Sequence, residues 1–138
     1  MSLNHELIRT RCQEIEESLS RLEQIKGKSR KEFLQDQDLQ DIACYRLLVA
    51  IEAALGLCYH VAARRLKKVP EEYAECFAIL ADAGIISSNL SGRLQKMARF
   101  RNLLVHMYWK VDYGVLYEII QHNLKDLRQF SKAVVALL

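Results

Sequence analysis

Proline occurs once and glycine five times in the 138 residues. So few helix breakers leave few interruptions and predict long elements. No stretch alternates apolar and polar residues with period two over a useful length, so strands are not expected. Internal repeats and low-complexity segments are absent as well. The four cysteines, Cys12, Cys44, Cys58 and Cys76, contain no CxxC pair, and no secretory leader opens the sequence. They read as reduced, mostly buried thiols of a cytoplasmic protein. The best candidate for a membrane span, Leu47 to Cys58, is too short and is interrupted by Glu52. No membrane partner is therefore expected. Charge is nearly balanced: the net charge of +3 and pI of about 8.7 permit an anionic partner without demanding one.

Several chemistries are missing too. There is no phosphate-cradling glycine loop, no GxSxG and no HExxH. His5, His60, His106 and His122 have no Cys, His or carboxylate partner at a convincing ligand spacing. Neither a catalytic metal nor another cofactor is expected.

What is present is helical periodicity. The length fits a single domain, residues 1–138. Residues 4–26 carry Ile8, Cys12, Ile15, Leu19 and Leu22 at steps of three and four, with Asn4 as N-cap and Gly27 as stop. Lys28 to Gln37 is a polar connection, with at most a turn of helix, anchored by Phe33 and Leu34. Asp38 to Lys68 reads as the longest helix, apolar nearly all round, which puts it at a bundle centre or under a partner. Within it Glu52 is either paired, with Arg46 or a partner helix, or exposed on a thin polar side. Pro70 suits the first turn of a third helix ending at Ala83, with Gly84 as its C-cap. A fourth helix starts near Ser88, and a fifth runs from Tyr113 to Leu137 behind Asp112. The expected fold is all-α, an antiparallel up-and-down bundle of about five helices.

The fourth helix runs into Arg101-Asn102-Leu103-Leu104-Val105-His106-Met107-Tyr108. On a continuous helix Arg101 and Tyr108 fall within roughly 20° of each other, and Asn102 neighbours His106. Arg101 offers a fixed cationic fork, His106 a proton near neutral pH, Asn102 a hydrogen bond to hold the imidazole and Tyr108 a phenol. Arg101 and His106 lie roughly 140° apart, so a bend or a second copy must bring them together. Spacing alone also accommodates a surface arginine, a satisfied histidine near a helix end and a ring at the core edge. The sharper reading is chemical. A histidine can take the proton of a ribose 2′-hydroxyl or protonate the leaving 5′-oxygen, while an arginine holds the phosphate. One histidine per chain is too few for a separate acid and base, and a two-fold dimer supplies both.

Arg101-Asn102 followed by Leu103-Leu104-Val105 and His106 resembles the RxxxxH motif of HEPN-domain ribonucleases. Extended to Tyr108 it resembles the RxxxxHxY form of HepT-type toxins. Asp38-Leu39-Gln40-Asp41, Ala50-Ile51-Glu52-Ala53-Ala54, Tyr73, Phe77-Ala78-Ile79-Leu80 and Asp112 to Tyr117 are similar to other parts of that family. The resemblance covers the chain from about residue 33 onward. It implies a HEPN fold, a homodimer, and a metal-independent endoribonuclease acting as the toxin of a type VII-like toxin–antitoxin system. It implies an MNT-type nucleotidyltransferase antitoxin as partner and RNA as substrate. By position Arg101 and His106 are then catalytic, Asn102 supports them, and Tyr108 is the tyrosine that the antitoxin adenylylates. The alternative is a non-catalytic helical partner of a nucleotidyltransferase. A weaker one is a structural homodimer with no RNA role. Tyr113 and Tyr117 are expected to pack at the bundle end, Trp109 to pack or meet a partner, and Lys96, Arg99 and Lys110 to steer RNA by charge.

Overall fold

The computed structural model describes residues 2–138. Seven α-helices and one 3-10 turn, with no strand among the described residues, make an all-α bundle. Helix α1 spans His5–Lys26, α2 Arg30–Leu34, α3 Gln37–Arg65, α4 Tyr73–Asp82 and α5 Ser88–His106. A 3-10 turn at Tyr108–Lys110 leads to α6, Tyr113–His122, and α7, Leu124–Val135.

The first helix follows its sequence signals. Asn4 accepts from the Leu7 N–H at 3.1 Å, and Ile8, Ile15, Leu19 and Leu22 are buried. The stretch read as a connection contains α2, stabilised by a reciprocal cap: Ser29 and Glu32 each accept from the other's backbone N–H. This short helix seats Phe33 against the Tyr117 ring, 5.6 Å between centroids, and buries it fully. Burying one such side chain contributes about 1.5–3 kcal/mol, which offsets part of the cost of ordering this short helix and adds to its cap.

Helix α3 is the centre, touched by all the other helices. It starts at Gln37, one residue before expected, because Asp36 caps it, accepting from the Leu39 N–H at 3.2 Å. It stops at Arg65 rather than Lys68. Lys67 turns left-handed (φ 57°), and the Lys68 N–H closes on the Ala62 carbonyl at 2.9 Å. By length and composition alone α3 could cross a membrane. Here Leu47, Ala50, Ala54, Leu57 and Cys58 are its fully buried line, covered by the neighbouring helices.

Two further boundaries depart from expectation. Helix α4 begins at Tyr73, with the buried Pro70 ahead of it rather than in its first turn. Gly84 does close it. At φ 78° Gly84 lets its own N–H reach the Ala81 carbonyl and the Ile85 N–H reach that of Leu80. The predicted fifth helix is two. Asn123 leaves helical geometry (φ −118°, ψ 0°), and its side chain donates to Asp126 at 2.9 Å. Asp126, fully buried, also accepts from Arg93 at 3.0 Å. A local side-chain bond thus replaces the continuing backbone ladder. Across the break, Phe77 and Phe130 lock α4 to α7 edge to face, 5.3 Å apart.

Candidate nuclease site

The C-terminal turns of α5 lie beside α3 and α4, and that packing determines where Arg101 points. Its Nε donates to Oε1 of Glu52 on α3, and its Nη1 donates to Oδ1 of Asn102 at 3.0 Å. The guanidinium lies over the Tyr73 ring of α4, 4.5 Å from the centroid. Only 10% of the arginine side chain is exposed, against 46% of Glu52. Arg101 is therefore a buried cation held by a carboxylate, an amide and an aromatic face rather than a loose surface charge.

Of the alternatives open for Glu52, pairing with another helix is the one found: it pairs with Arg101 of α5, whereas the Arg46 guanidinium lies over the Tyr45 ring at 5.5 Å. Two sequence expectations change here. The Asn102 carbonyl serves Arg101 rather than the imidazole. The helix does not continue through Tyr108. It ends at His106 because Met107 leaves helical geometry (φ −140°, ψ 46°), and the Lys110 N–H then bonds the Met107 carbonyl at 2.8 Å. The predicted shared face of Arg101 and Tyr108 is thereby lost.

Asn102 and His106 are both exposed and open on one groove of about 820 Å³, walled by Tyr59, Glu71, Glu72, Tyr73, Ala74 and Arg99. Among the described residues the His106 imidazole has no hydrogen-bond partner, so both ring nitrogens are available to a ligand. Arg101 reaches this groove through Tyr73, whose ring it covers. Burial, then the neighbouring Cys76, Tyr73, Cys58 and Glu75, push the Tyr59 phenol above its ordinary range, which keeps it protonated at neutral pH.

Tyr108 is 71% exposed, packs edge-on to Trp109 at 5.4 Å, and lines a separate depression with Asp41, Tyr45 and Tyr113. Within one chain the structure thus brings Arg101, Asn102 and His106 to one region and leaves Tyr108 at another. Tyr117 packs as expected at the bundle end, its hydroxyl donating to the Lys28 carbonyl at 2.9 Å. Trp109 is exposed, as are Lys96, Arg99 and Lys110. Among the described residues no three His, Cys, Asp or Glu side chains gather as a metal site.

Sequence reasoning missed Glu52 as the partner of Arg101, and it missed Tyr59, Tyr73, Glu71 and Glu72 as the opposite wall. The one available signal was a carboxylate inside the apolar run of α3. The wall residues carry no local pattern, because only the packing of α4 on α5 brings them there.

The protein family described as Ribonuclease HepT-like matches residues 15–134. The mRNA nuclease HepT of Shewanella oneidensis strain MR-1 is 28% identical over 132 residues, covering 96% of this chain and 98% of that protein. The solved structure of the tri-AMPylated Shewanella oneidensis HEPN toxin in complex with MNT antitoxin superposes with a TM-score of 0.89 at 28% identity, over 96% of this chain and 99% of that one. The cytosolic protein YutE of Bacillus subtilis, of unknown function, shares the fold, with a TM-score of 0.84 at 20% identity over 99% and 91% of the two chains. With seven-eighths of its length matched and the RxxxxHxY residues intact, the chain belongs to the HepT-like ribonuclease family.

Proposed function

We propose that this protein is a metal-independent endoribonuclease, the toxin of a toxin–antitoxin pair, with a composite site formed across a homodimer. The carrying observation is the end of α5, where a guanidinium fixed by Glu52 and Asn102 adjoins a groove that holds an unpartnered imidazole. A fixed arginine suits a phosphate whose charge grows in the transition state. The attacking nucleophile is the substrate's own 2′-hydroxyl. One His106 takes its proton as the 2′-oxygen bonds phosphorus. The partner protomer's copy of this histidine protonates the departing 5′-oxygen. Family membership and the mRNA nuclease relative support RNA as substrate, and the solved toxin–antitoxin complex supports an MNT-type antitoxin as partner.

Tyr108 is the residue we assign to adenylylation. Its phenol is exposed on the turn just beyond His106, as a modifying enzyme requires. Tyr108 lies outside the His106 groove of its own chain, so AMP there acts by adding bulk and negative charge to the surface that a polyanion crosses to reach the composite site.

The test is cleavage of a mixed RNA substrate in EDTA by wild type, His106→Ala and Arg101→Ala, with the intact mass of each protein and the solution oligomer measured alongside. EDTA-resistant cleavage by a dimer, lost in both variants, is the expected result. No cleavage by an unmodified, folded wild type would overturn it in favour of a non-catalytic partner of a nucleotidyltransferase. An inactive wild type carrying added AMP mass directs the same assay to Tyr108→Phe, which is then expected to cleave.

A further inference from the structure

The groove that holds His106 has a second wall that phosphate chemistry does not use. Its aromatic part is the Tyr59–Tyr73 pair, centroids 6.0 Å apart and rings at 75°. Its polar part is Glu71 and Glu72, both exposed. Glu72 occupies the N-cap position of α4, yet its side chain makes no capping bond. The neighbouring Glu75 is engaged, accepting from the Glu71 N–H at 3.0 Å. Among the described residues the carboxylates of Glu71 and Glu72 have no hydrogen-bond or ion-pair partner. Two free carboxylates repel a phosphate. An aromatic wall with free acceptors suits a flat ring that carries N–H donors.

We propose that this wall is a nucleobase subsite selecting guanine at a position next to the cleaved bond, an inference that rests on the nuclease reading of the same groove. The base stacks on the exposed part of the Tyr73 ring. Its N1–H and N2–H donate as a pair to the carboxylate of Glu72 or Glu71. Adenine and cytosine offer one exocyclic amine each on that edge, and uracil a single N3–H between two carbonyls that face the carboxylate. The volume, about 820 Å³, lies within the range of small-ligand clefts. Tyr73 joins the two subsites, because the guanidinium of Arg101 covers the same ring.

The experiment has two arms. In the first, a randomised RNA is cleaved by wild type and by Glu71→Gln/Glu72→Gln, and the ends are sequenced. In the second, the ring protons of Tyr59 and Tyr73 are followed by NMR while an uncleavable deoxyribose trinucleotide containing guanine or uracil is titrated in. A wild-type preference for guanine of about tenfold over uracil is expected at one position flanking the cut, because a paired hydrogen bond discriminates on that scale. In the double variant it should fall to about twofold, and the guanine trinucleotide should shift both rings more than the uracil one. Cleavage without base preference, and with equal shifts, would overturn the subsite and leave the nuclease standing. Guanine-selective shifts in a protein that cuts nothing would keep the subsite and overturn the nuclease. A guanine preference unchanged in the double variant would also overturn the assignment. Both substituted side chains are exposed, so the variant is expected to fold, which circular dichroism checks.

Discussion

Arg101 and Glu52 are 49 residues apart in sequence and joined by a side-chain hydrogen bond between α5 and α3. The pair is unequal. The arginine is nearly buried, whereas almost half of the glutamate side chain meets solvent. Loss of the carboxylate therefore strands a buried cation, while loss of the arginine leaves a carboxylate that water can solvate. Glu52 also lowers the net charge that a phosphate feels on approaching Arg101. It positions the guanidinium and competes with its ligand.

Two substitutions separate those roles. Glu52→Ala removes the acceptor and should cost about 1–2 kcal/mol, reduced from a fully buried pair because Glu52 is half solvated. Glu52→Gln keeps an acceptor and removes the charge. It should lose less stability and lower KM for RNA roughly fivefold, the scale of one partly screened charge at close range. Urea unfolding and steady-state cleavage measure the two effects. Equal stability of all three proteins would sink the buried-cation account.

Arg101→Lys tests the fork rather than the charge. The arginine uses Nε–H for Glu52 and Nη1–H for Asn102 in one plane. A lysine ammonium cannot occupy both directions and still face a phosphate. Cleavage should fall by about a hundredfold, as when one transition-state donor is lost. A lysine variant within a few-fold of wild type would mean that charge alone suffices.

Helix α1 was legible because it combines an apolar stripe with a cap residue, and α3 because it stays apolar nearly all round over many turns. The break at Asn123 was not. It depends on Asp126, whose burial comes from the packing of α7 and whose partner Arg93 lies 33 residues away. The end of α5 carries no glycine or proline, so the sequence reads straight through Met107. The motif residues were found from their types and spacing, and from their likeness to a family. Their partners were not, since Glu52, Tyr73 and Glu72 reach the site only through helix packing, for which one sequence holds no periodic signal.

The cysteines should behave as packing residues. Burial raises the Cys58 thiol far above its ordinary value, raises Cys12, and pushes Cys44 up to about 11. The reactive thiolate is correspondingly scarce near neutral pH. All four cysteines are free, so an aromatic disulfide reagent should titrate four thiols in denaturant. In the native protein Cys58 should react at least about a hundredfold more slowly. Fast labelling of Cys58 in the folded state would contradict its burial.

His60 links the start of the chain to pH. Its Nε2 accepts from the backbone N–H of Asn4 at 2.9 Å, which requires that nitrogen to be unprotonated. Burial, with Arg64 nearby, lowers its pKa below the ordinary 6.5. A pKa lowered by folding means that the unfolded chain binds the proton more tightly. The resulting stability is present above pH 6.5 and is lost as the pH falls from there through the folded value. Acidification should thus loosen the cap of α1 first, since Asn4 holds that helix start on one side and His60 on the other. Hydrogen exchange at the Asn4 and Leu7 amides, with urea unfolding from neutral pH to about pH 5, reads both effects. His60→Gln supplies an acceptor that does not titrate, so its stability should fall less over the same interval. An identical pH slope in the two proteins would show that other groups carry the acid sensitivity.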